Sequence, residues 1–307
     1  MREIRKTYLC GLGAIGGAYG SALHAADPDG LKVIAGGERL ARHAANGVII
    51  NGSPIRFTYI QPEAGGPAAD LILIAVKRHQ LEQTIRDIRN FVGEHTVILS
   101  LLNGIDSEEI IGREYGMEKL LYSFVIGTDG VREDHNIRFT TLGSIVFGER
   151  ENAVHSPKVA AVKAYFERTR IPHRVPQDML RELWWKFMMN VGINQTSAIL
   201  RATYGSYQKI REARDIMRMA CMEVVRVAEK VGIHLQEEDI DAYFEIMSRL
   251  APEGKTSMLQ DIEAGRKTEV ESFAGTVIEL GRKYDVPTPV NEMLYSMIRT
   301  LEQMKTT

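Results

Sequence analysis

"YLCGLGAIGGAYGSAL", residues 8 to 23, opens as a short apolar run, breaks at Gly11, Gly13 and Gly16, and continues as a stretch of small and apolar residues. The pattern is that of a strand, a tight turn and a helix. Gly11 suits the turn, Gly13 lets a ligand approach the backbone, and Gly16 lets the helix pack closely on the strand. The unpaired N–H groups and positive potential of the helix N-terminus then face whatever lies above Gly11, Leu12, Gly13, Ala14, Ile15 and Gly16. A diphosphate suits that place, so the stretch predicts a dinucleotide-binding βαβ unit.

Outward from this stretch, apolar runs at residues 7–10, 32–35, 71–76, 96–101 and 121–126 alternate with amphipathic segments. That alternation predicts a parallel sheet with crossover helices. Residues 143–147 read as a late strand and 158–168 as a helix. After Val175 and Pro176 the texture changes to long helical periods over 178–202, 210–231, 237–250, a short one from Ser257, and 269–284. The expected organisation is an α/β domain over residues 1–176 followed by an all-helical domain over 177–307.

Composition narrows the partners. The chain has 307 residues, of which 44% are hydrophobic and 25% charged, as in a globular protein with ample core. A net charge of −2 provides no basic field for nucleic acid or an anionic membrane surface. Cys10 and Cys221 lie far apart without metal-ligand spacing, which argues against a disulfide framework or a metal site and fits a reducing cytoplasm. The basic start passes directly into the strand-and-glycine pattern, so no signal peptide is expected. No run approaches the roughly 18 apolar residues of a membrane span.

Several residues stand out chemically. Where the second strand ends, "GGER" offers Glu38 for ribose hydroxyls or Arg39 for an additional phosphate, with solvated loop charges as the plainer reading. Lys77 and Asn103 follow apolar strands at the sheet edge where open α/β folds bind ligands; a helix-starting lysine and an Asn-Gly turn account for them equally well. In "LWWKFMMNVGIN" the spacing of Lys186, Asn190 and Asn194 predicts one polar stripe along an otherwise apolar helix. Such a stripe lines either a cleft or, with the lysine stem covering apolar area, the surface. Ser257 with Gln260 and Thr268 with Glu271 read as capping boxes, leaving Glu269 as a first-turn carboxylate.

Taken together, the glycine loop, Lys77, "LLNG", "WWKFMMNVGINQTSA" and "SMLQDIEAGRKTEV…DVPTP" resemble the ketopantoate reductase family from Gly11 to about Asn291. The resemblance implies an N-terminal Rossmann domain, a helical substrate and catalytic domain, and NADPH-dependent reduction of 2-dehydropantoate to pantoate, a step of pantothenate biosynthesis. By motif, Lys186 matches the catalytic lysine. Asn190, Asn194, Ser257 and Glu269 match substrate-holding positions, with Glu269 also beside the chemistry, and Lys77 and Asn103 match active-site and cofactor positions of the first domain. Any assembly is expected to be a homodimer.

Two positions depart from the family's pattern. Gly36 replaces the arginine usual at the end of the second strand, which shifts the expected phosphate contact to Arg39. Ala274 replaces a common asparagine, which leaves another branched 2-keto acid as an alternative substrate. A non-catalytic nucleotide sensor is the alternative from another class. Reduction of a keto carbon generates an alkoxide, and a cationic donor at Lys186 would neutralise it. A dry setting should depress the lysine's pKa, with Glu269 pushing the other way.

Overall fold

The computed structural model describes residues 3 to 304. The first part of the chain runs β1 (Thr7–Cys10), α1 (Ala14–Ala26), β2 (Leu31–Ile34), α2 (Gly37–Asn46), β3 (Val48–Ile50), β4 (Ser53–Ile55), β5 (Tyr59–Ile60), β6 (Leu71–Ile74), α3 (Leu81–Ile88), β7 (Val97–Ser100) and α4 (Ser107–Tyr115). It continues through β8 (Leu120–Ile126), β9 (Val131–Glu133), β10 (Asn136–Arg138), β11 (Ser144–Gly148), α5 (Pro157–Arg168) and β12 (His173–Arg174). Then come α6 (Met179–Leu200), α7 (Tyr204–Lys209), α8 (Arg211–Lys230), α9 (Glu237–Met247), α10 (Ser257–Glu263), α11 (Ala274–Tyr284) and α12 (Pro289–Met304). Two compact units divide between Met179 and Leu180, in the first turn of α6.

The first unit holds an eight-stranded sheet ordered β12-β11-β8-β7-β6-β1-β2-β5. Strands β8 to β5 in that order pair in parallel, and β11 joins β8 antiparallel. Leu9, Leu71, Leu73 and Leu99 pack with Tyr19 and Leu23 of α1 and Val162 and Phe166 of α5. Their neighbours Tyr8, Cys10, Ile72, Ile74 and Ile98 pack oppositely with Leu81, Ile85 and Ile88 of α3 and Ile111 of α4. Burial on both faces is why these strands are continuously apolar in sequence.

A second sheet, ordered β4-β3-β10-β9, lies on α1, where a β-carbon at Gly17 would strike the Ile137 side chain. Strands of three residues give too few alternations to be read from sequence, and this sheet was not expected. In the second unit, the helix expected over 269–284 is interrupted. A 3-10 turn spans Val270–Ser272, Phe273 is non-helical at φ −106° and ψ −91°, and α11 begins only at Ala274. The helix α12, following the Pro-rich "DVPTP", was also not anticipated.

Beneath the loop after β7, Glu108 is buried and accepts hydrogen bonds from Ser123 N at 3.2 Å and Ser107 Oγ at 2.8 Å. Desolvation outweighs these bonds and pushes its carboxyl up to about 7. Between about 4.5 and about 7 the folded chain retains a proton that the unfolded chain has lost, so this group's contribution falls as pH rises through that window. Glu108→Gln should therefore raise stability at pH 8 by about 1–3 kcal/mol and have little effect at pH 4.5. Denaturant melts at both pH values check this; an equal effect at both would rule out the ionisation as its source.

Candidate active site

The glycine loop occupies the point where the sheet's winding reverses, since β1 pairs in parallel with β2 on one side and β6 on the other. Ligands in such sheets bind beyond the strands' carboxyl ends at that reversal. Register places the candidates on this edge. Cys10 aligns with Ile34 and Ile74, and Ile74 with Ser100. Gly11 to Gly13, Gly36, Lys77 and Asn103 all lie within the few residues beyond these ends.

Gly11 adopts φ +96°, and a β-carbon there would lie 2.5 Å from the Ala75 carbonyl oxygen. At Gly16 a β-carbon would collide with the Gly11 carbonyl, which explains the close seating of α1. At Gly13, however, it would meet nothing within 4 Å. Gly13 is the N-cap of α1; it makes no side-chain capping bond, and the first turn, which includes Ala14, Ile15 and Gly16, contains no acidic residue. Open space above uncapped N–H groups fits an anionic diphosphate.

Lys77 is half-buried as the residue preceding a 3-10 turn at Arg78–Gln80, and Asn103 precedes Gly104 at φ +107°. The plainer readings of both as turn-forming residues describe their backbones correctly. Arg39 is paired with a carboxylate. Helix α2 starts at Gly37, so Arg39 lies in its first turn, where Nη2 donates to Asp87 Oδ2 at 2.6 Å. Only 10% of the Asp87 side chain is exposed, and a carboxylate so placed holds a countercharge tightly. This bond ties Arg39 to α3. Glu38 is exposed. An unanticipated residue meets the loop instead: Arg132 of β9 donates Nη1 to the Leu12 carbonyl.

In the second unit the polar stripe of α6 is internal. Asn190 and Asn194 are 6% and 5% exposed, which rules out a surface stripe. Around it lie Leu183, Trp184, Phe187 and Met188, with Trp184 edge-on to Phe187 at 5.9 Å. Asn194 Nδ2 donates to Asn190 Oδ1 at 3.2 Å, and Asn194 Oδ1 accepts from Ser257 Oγ at 3.1 Å and Met258 N at 3.2 Å. The structure therefore brings Asn190, Asn194 and Ser257 into one chain of bonds joining α6 to α10. The expected capping role of Ser257 is taken by Thr256, which accepts from Leu259 N, freeing the Ser257 hydroxyl for Asn194.

Lys186, one turn before Asn190, is half-buried, and desolvation lowers its ammonium to about 8. The compensation expected from Glu269 is not among the causes of that shift. Glu269 itself is 6% exposed and precedes the 3-10 turn, receiving Ser272 N on its backbone carbonyl. It is not in the first turn of a long helix. Thr268 is held differently from the expected capping box, with its N and Oγ1 both donating to Glu302 Oε1. Among the described residues no cluster of His, Cys, Asp and Glu could hold a metal, and no helix is long and apolar enough to cross a membrane.

Comparison with known proteins places this arrangement. The family described as ketopantoate reductase PanE/ApbA matches residues 7–152, and its C-terminal counterpart matches residues 178–302. A 2-dehydropantoate 2-reductase of Aquifex aeolicus is 27% identical over 97% of both chains. Among solved structures, a ternary complex of D-mandelate dehydrogenase with NADH and anilino(oxo)acetate superposes with a TM-score of 0.87 at 24% identity, covering 98% of this chain and 100% of that one. A dimeric ketopantoate reductase of Staphylococcus aureus gives 0.79 at 21% identity, covering 97% and 99%. A glycine-looped parallel sheet followed by helices carrying Lys186, Asn190, Asn194 and Ser257, matched over both units, makes this chain a member of the ketopantoate reductase family of oxidoreductases.

Proposed function

We propose that the protein reduces 2-dehydropantoate to pantoate with NADPH. The observation that carries the reading is a desolvated lysine on the same helical stripe as a hydrogen-bonded Asn190, Asn194 and Ser257 relay. The glycine loop would hold the diphosphate, with Lys77 and Asn103 at the same sheet edge. The dinucleotide, when bound, supplies the hydride for the 2-keto carbon. Lys186 gives its proton from Nζ to the keto oxygen as negative charge develops there, so oxygen and carbon each gain one hydrogen. With an ammonium titrating near 8, most of the lysine carries that proton at neutral pH.

Asn194 has its oxygen bonded to Ser257 and Met258 and one amide hydrogen to Asn190. Its part is to fix Asn190 and the Ser257 hydroxyl, which orient the carboxylate and hydroxyl of the substrate without adding competing charge. In this reading the buried Glu269 carboxylate also serves the substrate. Glu269→Ala is expected to lower kcat and raise the keto-acid KM by roughly tenfold each, whereas a purely structural role for the buried carboxylate predicts lost stability and normal kinetics. Melting and kinetics on one sample separate the two.

A second reading, a reductase of another branched or an aromatic 2-keto acid, is favoured by Ala274, which is fully buried where the family commonly carries an asparagine. The D-mandelate dehydrogenase neighbour points the same way. NADPH and NADH oxidation over a panel of 2-keto acids decides between them: 2-dehydropantoate turned over best with NADPH supports the first reading. Nucleotide binding with no turnover on any keto acid would leave a sensor instead. In this reading the enzyme works as a homodimer, as the Staphylococcus aureus neighbour does.

A further inference from the structure

With Arg39 paired to Asp87, two further arginines near the glycine loop and α2, which no sequence pattern singles out, come into view. Arg132 is half-buried on β9, donating Nε to the Asp134 carbonyl at 2.7 Å and Nη1 to that of Leu12. Its Nη2 has no acceptor among the described residues. A guanidinium has five N–H donors in a rigid fork, so the unused edge can receive an oxyanion in bidentate fashion. The small sheet fixes this position from below. Ile137 of β10 packs where a β-carbon of Gly17 would sit, and Gly130, just before β9, lies within 3.5 Å of the Ala14 side chain by the same measure.

The second cation is Arg42, one turn beyond Arg39 on α2, exposed and without a carboxylate partner among the described residues. It and Arg132 are close enough to repel; burial and then this repulsion lower the Arg132 guanidinium below its ordinary range, with the Asp134 carboxylate pulling the other way. His43, next on α2, stacks on Tyr59 at 5.7 Å and 8°. Desolvation and then Arg132, Arg42 and Arg39 hold its imidazole down at about 4, so it adds no charge at neutral pH. Asp134 offsets less of this than Arg42 adds, and like charges in one place have a cost that an anion would reduce. Helix α2 follows β2, the side of the sheet on which the adenosine ribose lies in this topology.

We propose that Arg132 and Arg42, rather than Arg39, form the guanidinium pair that reads the 2'-phosphate of the dinucleotide. This rests on the dinucleotide-reductase reading above. A ribose 2'-phosphate carries nearly two negative charges at neutral pH, enough to satisfy both cations. The diphosphate itself already has the α1 N-terminus.

The test is calorimetric titration of the full-length protein with 2',5'-ADP and with ADP, without keto acid. Wild type should prefer 2',5'-ADP. Arg132→Ala and Arg42→Ala should each weaken 2',5'-ADP by roughly 10- to 100-fold and ADP by less than about threefold, with Arg132→Lys in between. Arg39→Ala should change the preference little. Circular dichroism melts confirm that the variants fold. Equal loss of both probes in Arg132→Ala would make the residue a support of the loop and overturn the proposal, as would a preference lost only in Arg39→Ala. If wild type binds ADP and NADH but shows no preference, the phosphate pair is wrong while the reductase reading stands. If it binds neither probe, the dinucleotide reading itself fails.

Discussion

Replacing Lys186 by alanine is expected to lower kcat by roughly 10² to 10⁴ while changing dinucleotide affinity by less than about threefold. The ammonium contributes where charge develops on the keto oxygen, so its loss appears in turnover more than in cofactor binding. The same group sets a pH limit. Because burial lowers Lys186 to about 8, kcat/KM should fall above that pH as the donor loses its proton, and the limb should vanish in the variant. Stability should move oppositely. Between about 8 and 10.5 the unfolded chain holds a proton that the folded chain has released, so stability rises with pH across that window and the full penalty stands below it. Lys186→Met, which keeps the stem's volume, should therefore gain about 1–2 kcal/mol at pH 7 and nothing near pH 11, since the half-buried ammonium keeps part of its hydration. Steady-state kinetics and melts over the pH range measure both. Turnover close to wild type would remove Lys186 from the chemistry.

Gly16→Ala and Gly13→Ala should fail in different ways although three residues apart. A β-carbon at Gly16 meets the Gly11 carbonyl, a backbone atom that cannot swing aside, so the strand–turn–helix seat must shift. A loss of about 3 kcal/mol or more is expected, roughly 6–12 °C in Tm, and nucleotide binding goes with it. At Gly13 the backbone is at φ −73° and the β-carbon meets no protein atom. Alanine there should leave Tm unchanged or raise stability by about 0.4–1 kcal/mol, while its methyl occupies the space offered to the diphosphate and weakens nucleotide binding about tenfold or more. Melting curves and nucleotide titrations of the two variants test this directly. Unimpaired nucleotide binding by Gly13→Ala would place the ligand elsewhere.

The sequence by itself determined the elements with strong local signals. Continuous apolar strands between helical periods specify a doubly covered parallel sheet, because only strands buried on both faces need no polar alternation, and the glycine loop specifies where its first turn lies. The stripe of Lys186, Asn190 and Asn194 was legible because a helix period of 3.6 puts those positions on one face whatever the tertiary context. Tertiary structure alone decided the rest. It took Arg39 for Asp87, a residue 48 positions away, and brought Arg132 to Leu12 across 120 positions through three-residue strands too short to carry a pattern. It also moved the cap of α10 to Thr256, because Asn194 of α6 was there to take the Ser257 hydroxyl, and broke the helix expected from Glu269 so that this carboxylate is buried. In each case a long-range hydrogen bond or burial outweighed a local preference worth about 1 kcal/mol or less.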